Sequence, residues 1–141
     1  QTAIEFWVEV GCGKGKFTAE TAQANPDVLL IAVERCREAM VVAMEKARDM
    51  GLTNVYYIDM DVANMEDIFA PGEIDRLFIN FPDPWPRKKN GKRRLTHRGF
   101  LDKYCRILDP IIGTLFHAGF QIPHSSHSHN GSSKGAMPIV F

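Results

Sequence analysis

The chain has 141 residues, a length that suits one domain with a substantial core and excludes two. Seventeen basic and seventeen acidic residues cancel, so the net charge by itself says nothing about a partner. The three cysteines, Cys12, Cys36 and Cys105, form no CxxC pair, which argues against a disulfide framework or a zinc site. No apolar run approaches the roughly 20 residues of a membrane helix, and no charged-then-apolar leader opens the chain. We therefore expect a cytoplasmic protein without membrane contact.

The predicted elements alternate between short apolar runs and helical patterns along the first 110 residues. In chain order they are strand 3–11, helix 16–25, strand 28–34, helix 37–51, strand 54–61, crossover 62–73, strand 74–81 and helix 95–108. The first helix carries Phe17, Thr21 and Ala24 at helical spacing and is expected to stop before Pro26. On the second helix, Met40, Met44 and Met50 are expected to be packing residues.

This order predicts an α/β fold, a doubly wound and mostly parallel sheet with helices on both faces. Ligands of such sheets bind beyond the carboxyl ends of the strands. The polar residues at those ends are Glu9 with the loop GCGKG, Glu34, Asp59, Asp61 and the stretch Asn80–Asp83. These positions define the predicted site.

The glycine loop after the first strand contains Gly11, Gly13 and Gly15. Glycine lets a ligand approach the backbone closely, so this loop is a candidate cofactor cradle at the start of a helix. Both the dinucleotide fingerprint and the Walker pattern require glycine at position 16, where this chain has Lys16.

The acids that follow the strands sharpen the prediction. Glu34 is placed to accept hydrogen bonds from ribose hydroxyls, and Asp61 is placed within reach of an adenine amino group. Glu9 ends the first strand just ahead of the loop. NAD remains possible because it also contains ribose. However, the last glycine of the dinucleotide fingerprint is replaced by Lys16, and this change, together with Lys14, favours S-adenosylmethionine.

The stretch NFPDPWP after the fourth strand contains three prolines, which fix three φ angles and remove three donors. Asp83 and Trp85 are therefore expected to be held in place before a substrate arrives. We assign Asp83 the role of stabilising positive charge that develops during a transfer reaction.

Charge is concentrated in the segment that follows. Seven basic residues and no acid lie between Arg87 and Arg98, and the other residues share ten basic against seventeen acidic charges. We call residues 87–98 the basic segment. Its most direct use is to bind the phosphates of a nucleic acid beside Asp83.

Four stretches, VEVGCGKGKF, IAVER, DMDVAN and above all NFPDPWPRKKNGKRRLTHRGFL, resemble the bacterial tRNA (guanine-N7)-methyltransferase family over about residues 8–110. The resemblance implies a Rossmann-like class I methyltransferase that transfers a methyl group from S-adenosylmethionine to N7 of a guanine in the tRNA variable loop. It implies cofactor or active-site roles for Glu9, Glu34, Asp61 and Asp83, beside the loop glycines. It also implies RNA contacts within the basic segment, and the candidates are Arg87, Lys88, Lys89, Lys92, Arg93 and Arg94.

The chain departs from the family pattern after Pro110. The family continues there with two glycines, a strand and a Thr-Asp pair, whereas this chain has IIGTLFHAGFQIPHSSHSHNGSS. We therefore assign residues 1–110 to a methyltransferase core and residues 111–141 to an atypical region, with one strand and then a poorly ordered tail. The sheet is expected to be incomplete at this end. The histidines of the tail are not interpreted as a metal site.

Three other functions stay open at this point. The first is a catalytically inactive S-adenosylmethionine-binding or RNA-binding fragment, which the atypical region suggests. The second is a methyltransferase acting on an amino group of adenine or cytosine, although NFPDPWP lacks the adjacent prolines of that group. The third is a nicotinamide oxidoreductase. We expect tRNA as the partner, no obligatory protein partner, and a monomer or a homodimer.

Overall fold

The computed structural model describes residues 4–79, 98–108 and 139–140. Its strands are β1 (Glu5–Val10), β2 (Val28–Glu34), β3 (Val55–Asp59), β4 (Arg76–Ile79) and β5 (Ile139–Val140). Its helices are α1 (Lys16–Ala24), α2 (Arg37–Asp49), α3 (Met65–Ile68) and α4 (Arg98–Ile107), and a 3-10 turn at Val62–Asn64 precedes α3. The predicted order of strands and helices in the first 110 residues is confirmed.

The strands form one sheet in the order β3-β2-β1-β4-β5. The first four strands are parallel, and β5 pairs with β4 in the antiparallel direction. The chain runs from β1 outward to β3 and then crosses back to β4, so the order reverses beside β1. The predicted Rossmann-like class of fold is therefore confirmed for the described residues.

Side chains alternate between two faces along β1, as a strand requires. Val8 and Val10 are fully buried in a cluster with Met65 and Tyr104 from the α3–α4 side. Trp7 points to the other face and packs in a cluster with Ala22 of α1. Each fully buried apolar side chain of this size contributes about 1.5–3 kcal/mol relative to exposure. The two-faced burial explains why β1 lies in the middle of the sheet.

The helix faces differ in part from the sequence pattern. The buried residues of α1 are Thr18, Ala19 and Ala22, Phe17 packs half-buried against the core, and Ala24 is exposed. On α2 Met40 is buried as expected, but Met44 is 48% and Met50 37% exposed, since Ala43 and Ala47 form the inner face.

Polar side chains tie the amino ends of the strands together. The Asn54 side-chain amide donates to the carbonyl oxygens of Ala22, Asn25 and Val28, each at 3.0 Å. The Phe6 N–H donates to a carboxylate oxygen of Asp75 at 2.7 Å. We call this region the amino-end clamp, defined by Asn54 and Asp75. It adds hydrogen bonds to backbone groups where the strands begin, two of which, the carbonyls of Ala22 and Asn25, also accept from backbone N–H groups.

Among the residues that the structure describes, no helix has both the length and the apolar character needed to span a bilayer.

Candidate functional site

The carboxyl ends of the parallel strands meet at one edge of the sheet. In the strand register, Val10 lies beside Val33 on one side and Ile79 on the other, and Glu34 lies beside Asp59. The glycine loop, Glu34 and the turn containing Asp61 therefore lie at the same edge. They lie together as expected, and the assignment of a ligand site to this edge stays a prediction.

A cleft of about 950 Å³ lies at the opposite edge, where the strands begin. Its lining includes Trp7, Tyr56 and Arg76, and the Arg76 guanidinium lies 4.5 Å from the centre of the Trp7 ring. The cleft therefore lies at one edge of the sheet, whereas the glycine loop and the acids lie at the other. We place the candidate site at the carboxyl edge because the glycine loop and the acids that could bind a ligand converge there.

The glycine loop turns sharply and is bonded to β2. Gly11, Gly13 and Gly15 have φ angles of 74°, 55° and 74°, a region that favours glycine. The N–H groups of Gly11 and Cys12 both donate to the Val33 carbonyl, at 2.8 and 3.2 Å. The loop therefore follows the backbone of the neighbouring strand before α1 begins.

Gly13 and Gly15 have different surroundings. A Cβ atom added at Gly15 would lie 2.5 Å from the Cβ of Ala43 and 2.9 Å from its Cα, so this glycine allows α1 to approach α2. A Cβ atom added at Gly13 would have nothing within 4 Å. Gly13 thus borders open space, which suits the close approach of a ligand.

Glu34 ends β2 and faces the loop. One carboxylate oxygen accepts from the Gly13 N–H at 2.9 Å. The other accepts from the N–H groups of Arg35 and Cys36, at 3.0 and 2.9 Å. Three backbone N–H groups therefore orient the Glu34 carboxylate. The side chain is only half-buried, so a ligand can still reach it.

Asp61 caps the turn after β3. One of its oxygens accepts from the Ala63 N–H at 2.9 Å, and the other lies 3.6 Å from the Arg35 guanidinium. The neighbouring acid Asp59 pairs with Arg37. Two arginines that follow β2 therefore contact two acids at the end of β3. Asp61 is 48% exposed, so it too remains accessible.

Glu9 differs from these acids because it is fully buried. Its carboxylate accepts a hydrogen bond from the Thr18 hydroxyl on α1, which is also fully buried. A buried carboxylate needs such partners to remain charged. This bond links the end of β1 to α1, beside the glycine loop. The predicted cofactor contact of Glu9 stays a prediction.

Cys12 lies inside the loop but is not suited to nucleophilic chemistry. Burial, followed by the charges of Glu9 and Glu34, raises the pKa of the Cys12 thiol to about 12. A thiol of that kind remains protonated at neutral pH, and the thiolate is the nucleophile. Cys12 is therefore best described as a small buried side chain of the loop.

Several predicted site residues lie outside the described residues. They are Asp83 and the candidate RNA-contacting residues Arg87, Lys88, Lys89, Lys92, Arg93 and Arg94. The stretch IIGTLFHAGF, where one further strand was expected, and the histidines of the tail lie outside them as well. These predictions stay predictions.

Sequence reasoning missed Thr18, Arg35 and Ala43. Thr18 lies four residues before Ala22, the spacing of one helix face, and this signal could have marked it as buried. Arg35 and Ala43 matter only through partners from other elements, Asp61 and Gly15. No local pattern encodes such contacts.

The residues present fit a nucleoside ligand. The loop leaves open space at Gly13, while Glu34 and Asp61 hold accessible acceptor oxygens at the ends of adjacent strands. A parallel sheet, a glycine loop after β1 and an acid at the end of β2 define an α/β nucleoside-binding class of fold.

Comparison with known proteins narrows this class. The model of a family described as "Putative methyltransferase" matches residues 4–118, and the chain belongs to that family. A SAM-dependent methyltransferase from Aquifex aeolicus has the same fold, with a TM-score of 0.59 and 19% identity over 77% of this chain and 54% of that one. For TrmN from Thermus thermophilus the TM-score is 0.62, with 24% identity over 75% of this chain and 30% of that one.

Curated relatives are more similar in sequence. The tRNA (guanine-N(7)-)-methyltransferase of Halalkalibacterium halodurans is 48% identical over 103 residues, which are 73% of this chain and 47% of the relative. The protein of that name in Bacillus subtilis is 42% identical over 101 residues, 72% of this chain and 47% of the relative. The expected resemblance is confirmed, and the chain spans about half the length of the curated relatives it matches.

Proposed function

We propose that this chain contains the cofactor-binding part of a tRNA (guanine-N7)-methyltransferase. The observation that carries the proposal is the bond between Gly13 and Glu34, which joins the glycine loop to the acid expected to bind ribose. The identity of 42–48% to two proteins named for this activity supports the choice among methyltransferases. A tRNA substrate would place the protein in the cytoplasm.

The cofactor would be S-adenosylmethionine, whose sulfonium group supplies the methyl group. Glu34 would accept from the ribose hydroxyls, and Asp61 would face the adenine amino group. Gly11, Gly13 and Gly15 would allow the ligand to approach the backbone. Glu9, which is fully buried and accepts from the Thr18 hydroxyl, would complete the cofactor site at the end of β1.

The reaction requires alignment more than a strong base. Guanine N7 carries a lone pair and no proton, so it can form the new N–C bond as the sulfur–carbon bond breaks and sulfur keeps the electron pair. The methylated guanine becomes cationic. We propose that Asp83, between prolines in NFPDPWP, stabilises this developing charge.

We further propose that the basic segment binds tRNA. Each lysine or arginine that contacts a phosphate releases counterions and binds without reading sequence. The candidates are Arg87, Lys88, Lys89, Lys92, Arg93 and Arg94. Binding through this segment should weaken as salt is raised.

The test is transfer of a labelled methyl group from S-adenosylmethionine to an unmodified tRNA transcript, with the site mapped by borohydride–aniline cleavage, which acts at N7-methylguanosine. The Asp83→Ala variant should lower the rate about 100-fold or more, a typical effect of removing a group that stabilises transition-state charge. Its tRNA affinity should stay close to that of the parent.

Cleavage at one variable-loop guanine supports the proposal. Methylation of an adenine or cytosine amino group would overturn the choice of atom. Binding of the cofactor without methylation of any tRNA would favour the inactive-fragment function. An Asp83→Ala variant with the parent rate would remove Asp83 from the mechanism.

A further inference from the structure

Glu34 has two tasks at once in the structure. One of its oxygens accepts hydrogen bonds from the N–H groups of Arg35 and Cys36, the next two residues in sequence. The other holds the N–H of Gly13, which lies 21 residues away in the middle of the glycine loop. The carboxylate therefore links the end of β2 to the loop that follows β1.

The distribution of donors between the two oxygens decides where a ligand can bind. A carboxylate oxygen accepts about two hydrogen bonds in the plane of its lone pairs. The oxygen that accepts from the N–H groups of Arg35 and Cys36 thus already has two hydrogen bonds. The oxygen bonded to Gly13 has a second acceptor position, and Gly13 borders open space.

We propose that Glu34 is a positioning residue for the glycine loop as well as a ligand for ribose, and that one carboxylate oxygen holds the Gly13 N–H and a ribose hydroxyl together. This inference rests on the proposed cofactor. Its consequence is a coupling, since the nucleoside and the loop share one atom. Ligand binding should stabilise the loop, and removal of the carboxylate should release the loop even without ligand.

Hydrogen exchange of backbone amides measured by NMR on the full chain tests this coupling. Gly11 provides an internal control, because its N–H donates to the Val33 carbonyl at 2.8 Å and not to Glu34. In Glu34→Ala we expect the Gly13 amide to exchange about tenfold faster or more, the effect of losing a hydrogen bond to a charged group. The Gly11 rate should stay within about twofold.

Two matched variants separate positioning from general destabilisation. Glu34→Gln retains an oxygen acceptor without charge, so it should give a Gly13 rate between those of the parent and Glu34→Ala. Asp59→Ala removes the neighbouring acid that pairs with Arg37, and it should leave the Gly13 rate unchanged. An unchanged Gly13 rate in Glu34→Ala, or equal acceleration of Gly11 and Gly13, would overturn the positioning role.

The shared hydrogen bond to ribose is tested by repeating the exchange measurement with saturating S-adenosylhomocysteine. We expect the Gly13 amide to exchange several-fold more slowly when the ligand is bound, relative to Gly11. A faster or unchanged Gly13 rate with ligand bound would overturn the shared oxygen while leaving the proposed cofactor intact. A chain that does not bind S-adenosylhomocysteine would instead overturn the proposed function, and the ligand-free rates would still decide the positioning role.

Discussion

The two edges of the sheet use polar side chains in opposite ways. At the amino edge, the Asn54 amide donates to three backbone carbonyls, and Asp75 accepts from the Phe6 N–H. At the carboxyl edge, the Glu34 and Asp61 carboxylates accept from backbone N–H groups and stay accessible. The Asn54 amide donates all of its bonds to backbone carbonyls and so stabilises the fold, whereas Asp75 is exposed. At the carboxyl edge, the Glu34 oxygen that accepts from Gly13 has a further acceptor position that a ligand can use.

The contrast explains why cleft volume does not identify the site. The cleft of about 950 Å³ at the amino edge is lined in part by Asn54 of the amino-end clamp. The carboxyl edge has the glycines with positive φ and the acids at the strand ends. Substitution of Asn54 at the amino edge and of Glu34 at the carboxyl edge should therefore separate stability from binding, whereas Gly15 of the glycine loop packs against α2 and contributes to stability.

The largest effect on stability is expected from Gly15→Ala. Its new Cβ would meet the Ala43 backbone, and its φ of 74° is unfavourable for alanine. Overpacking and backbone strain together should lower the free energy of unfolding by about 3 kcal/mol. Urea denaturation measures it. Gly13→Ala is the matched control, because it adds a Cβ in open space and should cost only about 1 kcal/mol of strain. Equal losses in the two variants would contradict the close packing assigned to Gly15.

A smaller effect is expected from Asn54→Ala at the amino edge. Loss of the amide leaves the carbonyls of Ala22, Asn25 and Val28 without this donor, which should cost about 1–3 kcal/mol of unfolding free energy. The exposed neighbour Thr53 supplies the control variant Thr53→Ala, for which we expect about 0.5 kcal/mol or less. If Asn54→Ala were as stable as Thr53→Ala, the clamp would not contribute to stability.

The smallest effect is expected from Arg35→Ala at the carboxyl edge. Its guanidinium lies 3.6 Å from Asp61, and both side chains are exposed. Exposed ion pairs contribute about 1 kcal/mol or less, so affinity for S-adenosylhomocysteine should change by about fivefold at most. The titration should be repeated at high salt, where the difference from the parent should shrink. A loss of 100-fold would mean that Arg35 contacts the ligand itself.

The sequence predicted the elements better than their contacts. Strand β2 was predicted at 28–34 and is found at Val28–Glu34, because a run of branched apolar residues is a strong local signal. The placement of Glu34 followed from that strand. Helical spacing alone did not reveal that Ala43 and Ala47, rather than Met44, form the inner face of α2.

Contacts between distant residues could not be predicted from local patterns. Strand β5 has only two residues, Ile139–Val140, and its partner β4 is far away in sequence. The burial of Glu9 against Thr18 also depends on how α1 packs on β1. The roles of Asp83 and the basic segment rest on sequence resemblance and stay proposals.

The central claim is that the carboxyl edge binds a nucleoside while the amino edge stabilises the fold. The most direct measurement is calorimetric titration of S-adenosylhomocysteine into the parent chain, Glu34→Ala and Asn54→Ala, with folding checked by circular dichroism. We predict saturable binding by the parent, binding by Asn54→Ala within about twofold of it, and a loss of about 10-fold or more in a folded Glu34→Ala. Parent-like binding by Glu34→Ala, or no binding by the folded parent, would contradict the claim.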